Sequence, residues 1–196
     1  MKCIITFLAT LTLYTTAFAQ TPGIRTPGID HVGITVPKLA QAEAFFAPTF
    51  GCEALTHIGP FPLENSLADD RKTTVPARAE SVEIAMLRCG SGANIELFEY
   101  SKPTGSTIIP NDEDIGATHI AFYTTDVAAG VAYLKSRGVT VLGQPVTMSE
   151  GDTAGETWVH FLSPWGSVIE LVSYPHGKAY EKSTSIRLWN PEKPRM

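Results

Sequence analysis

Positive charge is scarce in this sequence: 15 Lys and Arg stand against 20 Asp and Glu, a formal net charge of −5. No basic patch follows from that balance, so the electrostatic footprint of a nucleic-acid binder is missing. Cysteine is scarcer still. Three occur, at positions too far apart for a zinc-finger pattern. Long apolar runs are absent after the first twenty residues, so nothing there approaches the roughly 20 apolar residues that cross a bilayer. Disorder and fibre are excluded by what is present instead. Hydrophobic residues make up 43% and charged residues 18%, enough to bury a core. A chain of 196 residues suits one compact domain or two small fused modules.

The first twenty residues read MKCIITFLATLTLYTTAFAQ. Lys2 precedes an apolar run from Cys3 to Tyr14, and Ala17-Phe18-Ala19 supplies a small-residue cleavage site. This is the pattern of a secretory signal peptide over residues 1–19. The run is short for a membrane anchor, and the A-x-A site favours cleavage. The expected mature protein is periplasmic or secreted, with no membrane contact. Cys3 leaves with the leader, and Cys52 and Cys89 remain. They form either one disulfide or two buried thiols.

The rest of the chain is written twice. His31–Val36 reads as a strand, Pro37–Phe50 as an amphipathic helix, and Gly51 as its stop. His119–Thr124, Asp126–Arg137 and Gly138 repeat the pattern. Pro37 suits a helix start, and Asp126 suits an N-cap. Strand signals follow each helix: Ser81–Arg88 and Asn94–Tyr100 in the first copy, Val139–Leu142, Thr157–Leu162 and Val168–Ser173 in the second. Each half therefore reads as β-α-β-β-β, an α+β fold. The modules cover residues 28–100 and 117–175, and a polar tail with Trp189 follows over 176–196. That tail is expected to pack loosely or to cover a partner surface. His57–Ala79 reads as an insertion in the first half, either a surface loop or a lid.

Four polar residues recur at matched places. Alternate side chains of a strand share a face. The apolar face of each strand is expected to meet the helices; the other carries His31, Glu96, His119 and Glu170, one per strand. An ionised Glu is rarely buried unless it is paired or bound to metal. Two imidazoles and two carboxylates on one concave face make a ready site for a divalent metal.

The stretches Asp30-His31-Val-Gly-Ile-Thr-Val, Asn94-Ile-Glu96-Leu-Phe, Thr118-His119-Ile-Ala-Phe and Pro164-Trp-Gly-Ser-Val-Ile-Glu170-Leu resemble the vicinal oxygen chelate superfamily, also called the glyoxalase/bleomycin-resistance/dioxygenase superfamily. The resemblance covers residues 28–175. It implies paired βαβββ modules whose eight strands curl, barrel-like, around one divalent metal (Ni, Co, Zn, Mn or Fe). It also implies His31, Glu96, His119 and Glu170 as ligands, and a small-molecule substrate whose vicinal oxygens chelate the ion. Members are often homodimers, and in some the site is assembled across subunits.

The ligand set is similar to that of glyoxalase I. The implied activity is that of a lyase or isomerase that moves a proton next to a carbonyl through an ene-diolate, with Glu170 as the base and Glu96 as the other candidate. Methylmalonyl-CoA epimerases look similar but usually carry Gln where this chain has Glu96, and a CoA substrate is hard to supply outside the cytoplasm. An extradiol dioxygenase would use His31, His119 and Glu170 on iron. It would expect Tyr ten residues before the last Glu, where this chain has His160, itself an acid–base candidate. A non-catalytic small-molecule binding protein is the third class, with Trp158, Tyr123 and Phe98 lining a cleft or packing in the core. His57 and His176 lie in loop-like contexts and take no role.

Overall fold

The computed structural model describes residues 28–63, 79–101 and 113–194, together with Ile24, Thr26, Ser106 and 108–111. The leader over residues 1–19 and most of the 57–79 insertion lie outside the described residues. Among them, no helix is long and apolar enough to cross a membrane.

The first module runs β1 (His31–Thr35), α1 (Leu39–Phe50), β2 (Glu53–Pro62), β3 (Ser81–Arg88) and β4 (Asn94–Tyr100). The second runs β5 (Ile120–Tyr123), α2 (Val127–Ser136), β6 (Val141–Thr147), β7 (Thr157–Leu162) and β8 (Val168–Ser173). Each module is a four-stranded mixed sheet, ordered β1-β4-β3-β2 and β5-β8-β7-β6. The first strand of each pairs in parallel with the last, and the other pairings are antiparallel.

The β-α-β-β-β pattern called for a strand between α1 and β3, and β2 is the one the sequence did not locate. A ten-residue strand drawn from the supposed connection and insertion lies along the sheet edge, and seven of its residues pair with β3. The strand carries Gly59, Pro60 and Pro62, and its register shifts twice. Proline lacks the N–H that a central strand needs and is confined to edges and bulges, so the turn-like composition marks an edge strand. β6 uses the same device: Gly143 and Pro145 sit at its register shift, and the strand continues to Thr147, beyond the Leu142 end expected.

The helices begin by different means. Asp126 caps α2 as expected, its carboxylate accepting from the Ala129 N–H at 2.9 Å. Lys38 precedes α1 without a side-chain cap, and the missing acceptor comes from β4. Glu99 accepts from the Leu39 N–H at 2.8 Å and pairs with Lys38 at 2.6 Å. Gly51 ends α1 with φ 67°, and its N–H reaches the Ala47 carbonyl.

One core joins the modules. Phe45 and Phe46 of α1 meet Ala85, Leu87, Ile95 and Leu97 beneath, and Val131, Leu134, Val159, Phe161, Ile169 and Leu171 of the second module belong to the same cluster. Phe50 stacks on Phe122 with ring centroids 3.8 Å apart, so α1 also packs across onto the second sheet. Cys52 and Cys89 form a disulfide that ties the end of α1 to the β3–β4 turn. The described part of the tail packs onto the fold. It makes a short 3-10 helix at Ala179–Lys182, the Pro191 carbonyl accepts from Ser91 Oγ, and Tyr123 donates to Glu192 at 2.9 Å. A Cβ at Gly92 would lie 3.2 Å from the Trp189 ring, so that glycine seats the tail closely.

Candidate metal centre

The faces turned away from the core carry the expected ligands. In the first module Gly33 lies opposite Glu96 across the β1–β4 pair, and His31, two residues earlier, shares that face. His31 Nε2 is 3.2 Å from Glu96 Oε2. The other ring nitrogen, Nδ1, is 2.8 Å from Asp30 Oδ2. The Asp30 hydrogen bond, with the charges of Glu96 and Asp30, outweighs desolvation and raises the His31 pKa above its ordinary value. A carboxylate holding Nδ1–H fixes the tautomer and leaves Nε2 for a ligand. Asp30 has the adjacent His31 as its only signal in the sequence, and sequence reasoning gave it no role.

The second module repeats the arrangement and adds to it. Ala121 lies opposite Glu170 across β5–β8, which puts His119 on the same face. His119 Nε2 is 2.9 Å from Glu170 Oε2. Across β7–β8, His160 lies directly opposite Glu170, and its Nε2 is 3.6 Å from the same oxygen. The turn after β7 sets that register: Ser163 N–H reaches the Ser167 carbonyl and Gly166 N–H the Ser163 carbonyl. In the first module Met86 occupies the matching place opposite Glu96.

Phe98 and Trp158 line these two faces half-buried, and with Tyr123 they stay outside the core cluster, which favours a cleft role for them. Ile58 stands beside the first pair, and Leu142 and Val146 beside the second. All three are 41–50% exposed. His57 lies in β2, with its Nε2 2.6 Å from Glu43 Oε1 of α1, which corrects its loop placement. His176 lies in the turn after β8.

Within one chain the four expected ligands form two separate pairs. His119, His160 and Glu170 are the one group of three or more ligand side chains, among the described residues, whose donor atoms all lie within 4.8 Å of one another. His31 and Glu96 are not in it, so a single chain does not assemble the His31/His119/Glu170 triad that a dioxygenase would need. The donors themselves suit a borderline divalent metal. With bonds of about 2.0–2.2 Å, neighbouring ligands on one ion lie roughly 3.0–3.5 Å apart, and the His31–Glu96 and His119–Glu170 separations are close to that.

Comparison with known proteins agrees with this architecture. A glyoxalase family protein from Bacillus cereus superposes with a TM-score of 0.60 at 21% identity, over 79% of this chain and 98% of that one. Glyoxalase I from Leishmania major superposes with a TM-score of 0.53 at 20% identity, over 81% and 93%. At such identities the likeness is one of fold. A 2-epi-5-epi-valiolone epimerase from Actinomyces sp. is 41% identical over 168 residues, 84% of this chain and 88% of the relative. The family model described as the Glyoxalase/Bleomycin resistance protein/Dioxygenase superfamily matches residues 30–155, well over half of the sequence, and the chain belongs to that superfamily.

Proposed function

We propose that the protein is an exported, metal-dependent epimerase that moves a proton on the carbon next to the carbonyl of a hydroxy ketone. The observation that carries this reading is Glu170, a half-buried carboxylate with two imidazoles directed at one of its oxygens on an open sheet face. The 41% identical relative named as an epimerase supports the same reaction class.

His31, Glu96, His119 and Glu170 would hold the metal, and when bound it would polarise neighbouring oxygens of the substrate. The protein's own part is positioning and proton transfer. Glu170 Oε2 takes the proton from the carbon next to the carbonyl, which flattens that carbon. Glu96, from the facing sheet, enters the cycle carrying a proton taken from solvent and gives it to the opposite side; the centre is inverted, and Glu170 then releases its proton to solvent. A glyoxalase I-type reaction uses the same two carboxylates; it differs only in which carbon receives the proton.

One chain leaves the two ligand pairs apart, so this reading calls for a homodimer. The His31/Glu96 face of one copy meets the His119/Glu170 face of the other. The exposed Ile58, Leu142 and Val146 beside the pairs suit burial in such a contact. Export is supported by the leader pattern and by the Cys52–Cys89 disulfide, which persists in oxidising compartments.

The test is turnover of 2-epi-5-epi-valiolone followed by chromatographic separation of the epimers. The expected result is conversion that stops when a chelator removes the metal and returns when a divalent metal is restored. Conversion unchanged by the chelator would remove the metal from the reading. No conversion, with lyase activity on 2-oxoaldehyde hemithioacetals instead, would favour the glyoxalase I alternative.

A further inference from the structure

We infer that His160 is a metal ligand, so that the second module alone presents a three-ligand site of His119, His160 and Glu170. The inference rests on the reading that this face takes a divalent metal, and it adds a residue outside the recurring His/Glu set.

No hydrogen bond to Glu170 accounts for the place of the His160 ring. His160 Nε2 lies 3.6 Å from Glu170 Oε2, beyond the range of an N–H···O hydrogen bond. His119 Nε2 lies 2.9 Å from the same oxygen. The bond lengths of imidazole and carboxylate ligands put tetrahedral neighbours about 3.4 Å apart and octahedral neighbours about 3.0 Å apart. Both separations are near those values, and all three donor atoms fall within 4.8 Å of one another. The rings of His119 and His160 have centroids 5.0 Å apart at 54°, so the two imidazoles converge rather than stack.

The backbone holds this arrangement. His160 and Glu170 are register partners across an antiparallel pair, and His119 reaches them from the neighbouring parallel strand. Trp158 packs beside the His160 ring, with centroids 5.0 Å apart, and limits its rotation. Two imidazoles and one carboxylate on one face would hold the ion from one side and leave the other side for His31, Glu96 and a substrate oxygen. The third ligand also has a chemical use. If Glu170 takes a proton, His119 and His160 on the same sheet would be the residues that still hold the ion.

The asymmetry decides which half binds first. The first module offers His31 and Glu96 with Met86 at the third place, and a thioether is a poor ligand for a borderline divalent ion. The second module should therefore hold the metal, and the first should complete its shell.

The experiment titrates chelator-stripped protein with Co2+, following its visible absorption and competition with a chelator. Wild type is expected to bind one Co2+ per chain. His160→Gln is expected to bind about tenfold or more weakly with an altered spectrum, as loss of a ligand or of a ligand's support costs. His31→Ala, which removes one ligand of the completed shell, is expected to bind about 10–100-fold more weakly while keeping one Co2+ per chain, and His57→Ala, outside the site, is expected to match wild type. Equal binding and an unchanged spectrum in His160→Gln would overturn the inference while leaving the metal reading intact. No binding by wild type would overturn that reading itself. A second measurement does not depend on His160→Gln folding. Co2+-loaded His31→Ala should show two hyperfine-shifted imidazole N–H signals in its NMR spectrum, from His119 and His160. A single signal would overturn the inference.

Discussion

The two modules have the same strand order and the same His/Glu placement, and they differ in what surrounds that pair. The second module sets His160 opposite its Glu; the first sets Met86 there. The first module sets Asp30 on its His and a disulfide behind its sheet. A duplicated framework thus separates two tasks. On the proposed reading, the second half gathers donors around the carboxylate that would move the proton, and the first half supplies a braced pair that would complete the site. The caps differ in the same spirit: α2 is started by its own Asp126, whereas α1 depends on Glu99 from a distant strand.

The largest effect that sharpens this comparison is expected at Glu170. Glu170→Gln should lower kcat by roughly 10²–10⁴-fold, the usual contribution of a positioned acid–base group, and Met86→Leu at the matched place should change it little. Steady-state rates of the two variants, measured side by side, check this. Full activity in Glu170→Gln would remove the distinction between the halves.

The disulfide comes next. It closes a loop with a sequence separation of 37 residues. By the chain-entropy argument, such a loop contributes on the order of 3–4 kcal/mol. Denaturant unfolding with and without reductant should show a loss of that size. Because one core joins the modules, both should unfold together in a single transition.

Asp30→Asn is expected to weaken metal retention by about 10–100-fold, the usual cost of losing the partner of a ligating His. Chelator competition measures it. No change would make Asp30 a bystander of the His31 ring.

The smallest expected effect is at the α1 cap. Burial pushes the Glu99 carboxyl up, but the Lys38 hydrogen bond, the Leu39 N–H and the Lys38 charge together hold it below the usual carboxylate value. A depressed folded pKa gives stability that is present above the unfolded value, near pH 4.5, and is lost as pH falls through the folded one. Glu99→Gln should cost about 1 kcal/mol at neutral pH and should flatten the acid limb of the stability profile. Thermal melts from pH 7 to pH 3 test both parts.

Much of this architecture was legible before the structure. Period-two alternation put His31, Glu96, His119 and Glu170 off the apolar faces, and the structure keeps them there, because a strand has only two faces. Asp126 announced its helix because an N-cap is a local device. β2 was missed because Gly59, Pro60 and Pro62 read as a loop, and only pairing along an edge makes such a segment a strand. The direction of His160 was not legible because the turn at Ser163–Ser167 sets the β7–β8 register, and a shift of one residue would have turned the ring to the core. The separation of the two ligand pairs within one chain was hidden for a related reason. Alternation tells which face a residue takes, and only packing around Phe46, Phe50 and Phe122 decides how the two faces stand to each other.

The most direct measurement of proton movement at Glu170 is turnover of 2-epi-5-epi-valiolone in D2O, followed by NMR at the carbon next to the carbonyl. The expected product is the epimer carrying one solvent deuterium at that carbon, formed by wild type and not by Glu170→Gln. Epimer formed without deuterium, or formed at the wild-type rate by Glu170→Gln, would contradict a proton transfer carried by this carboxylate.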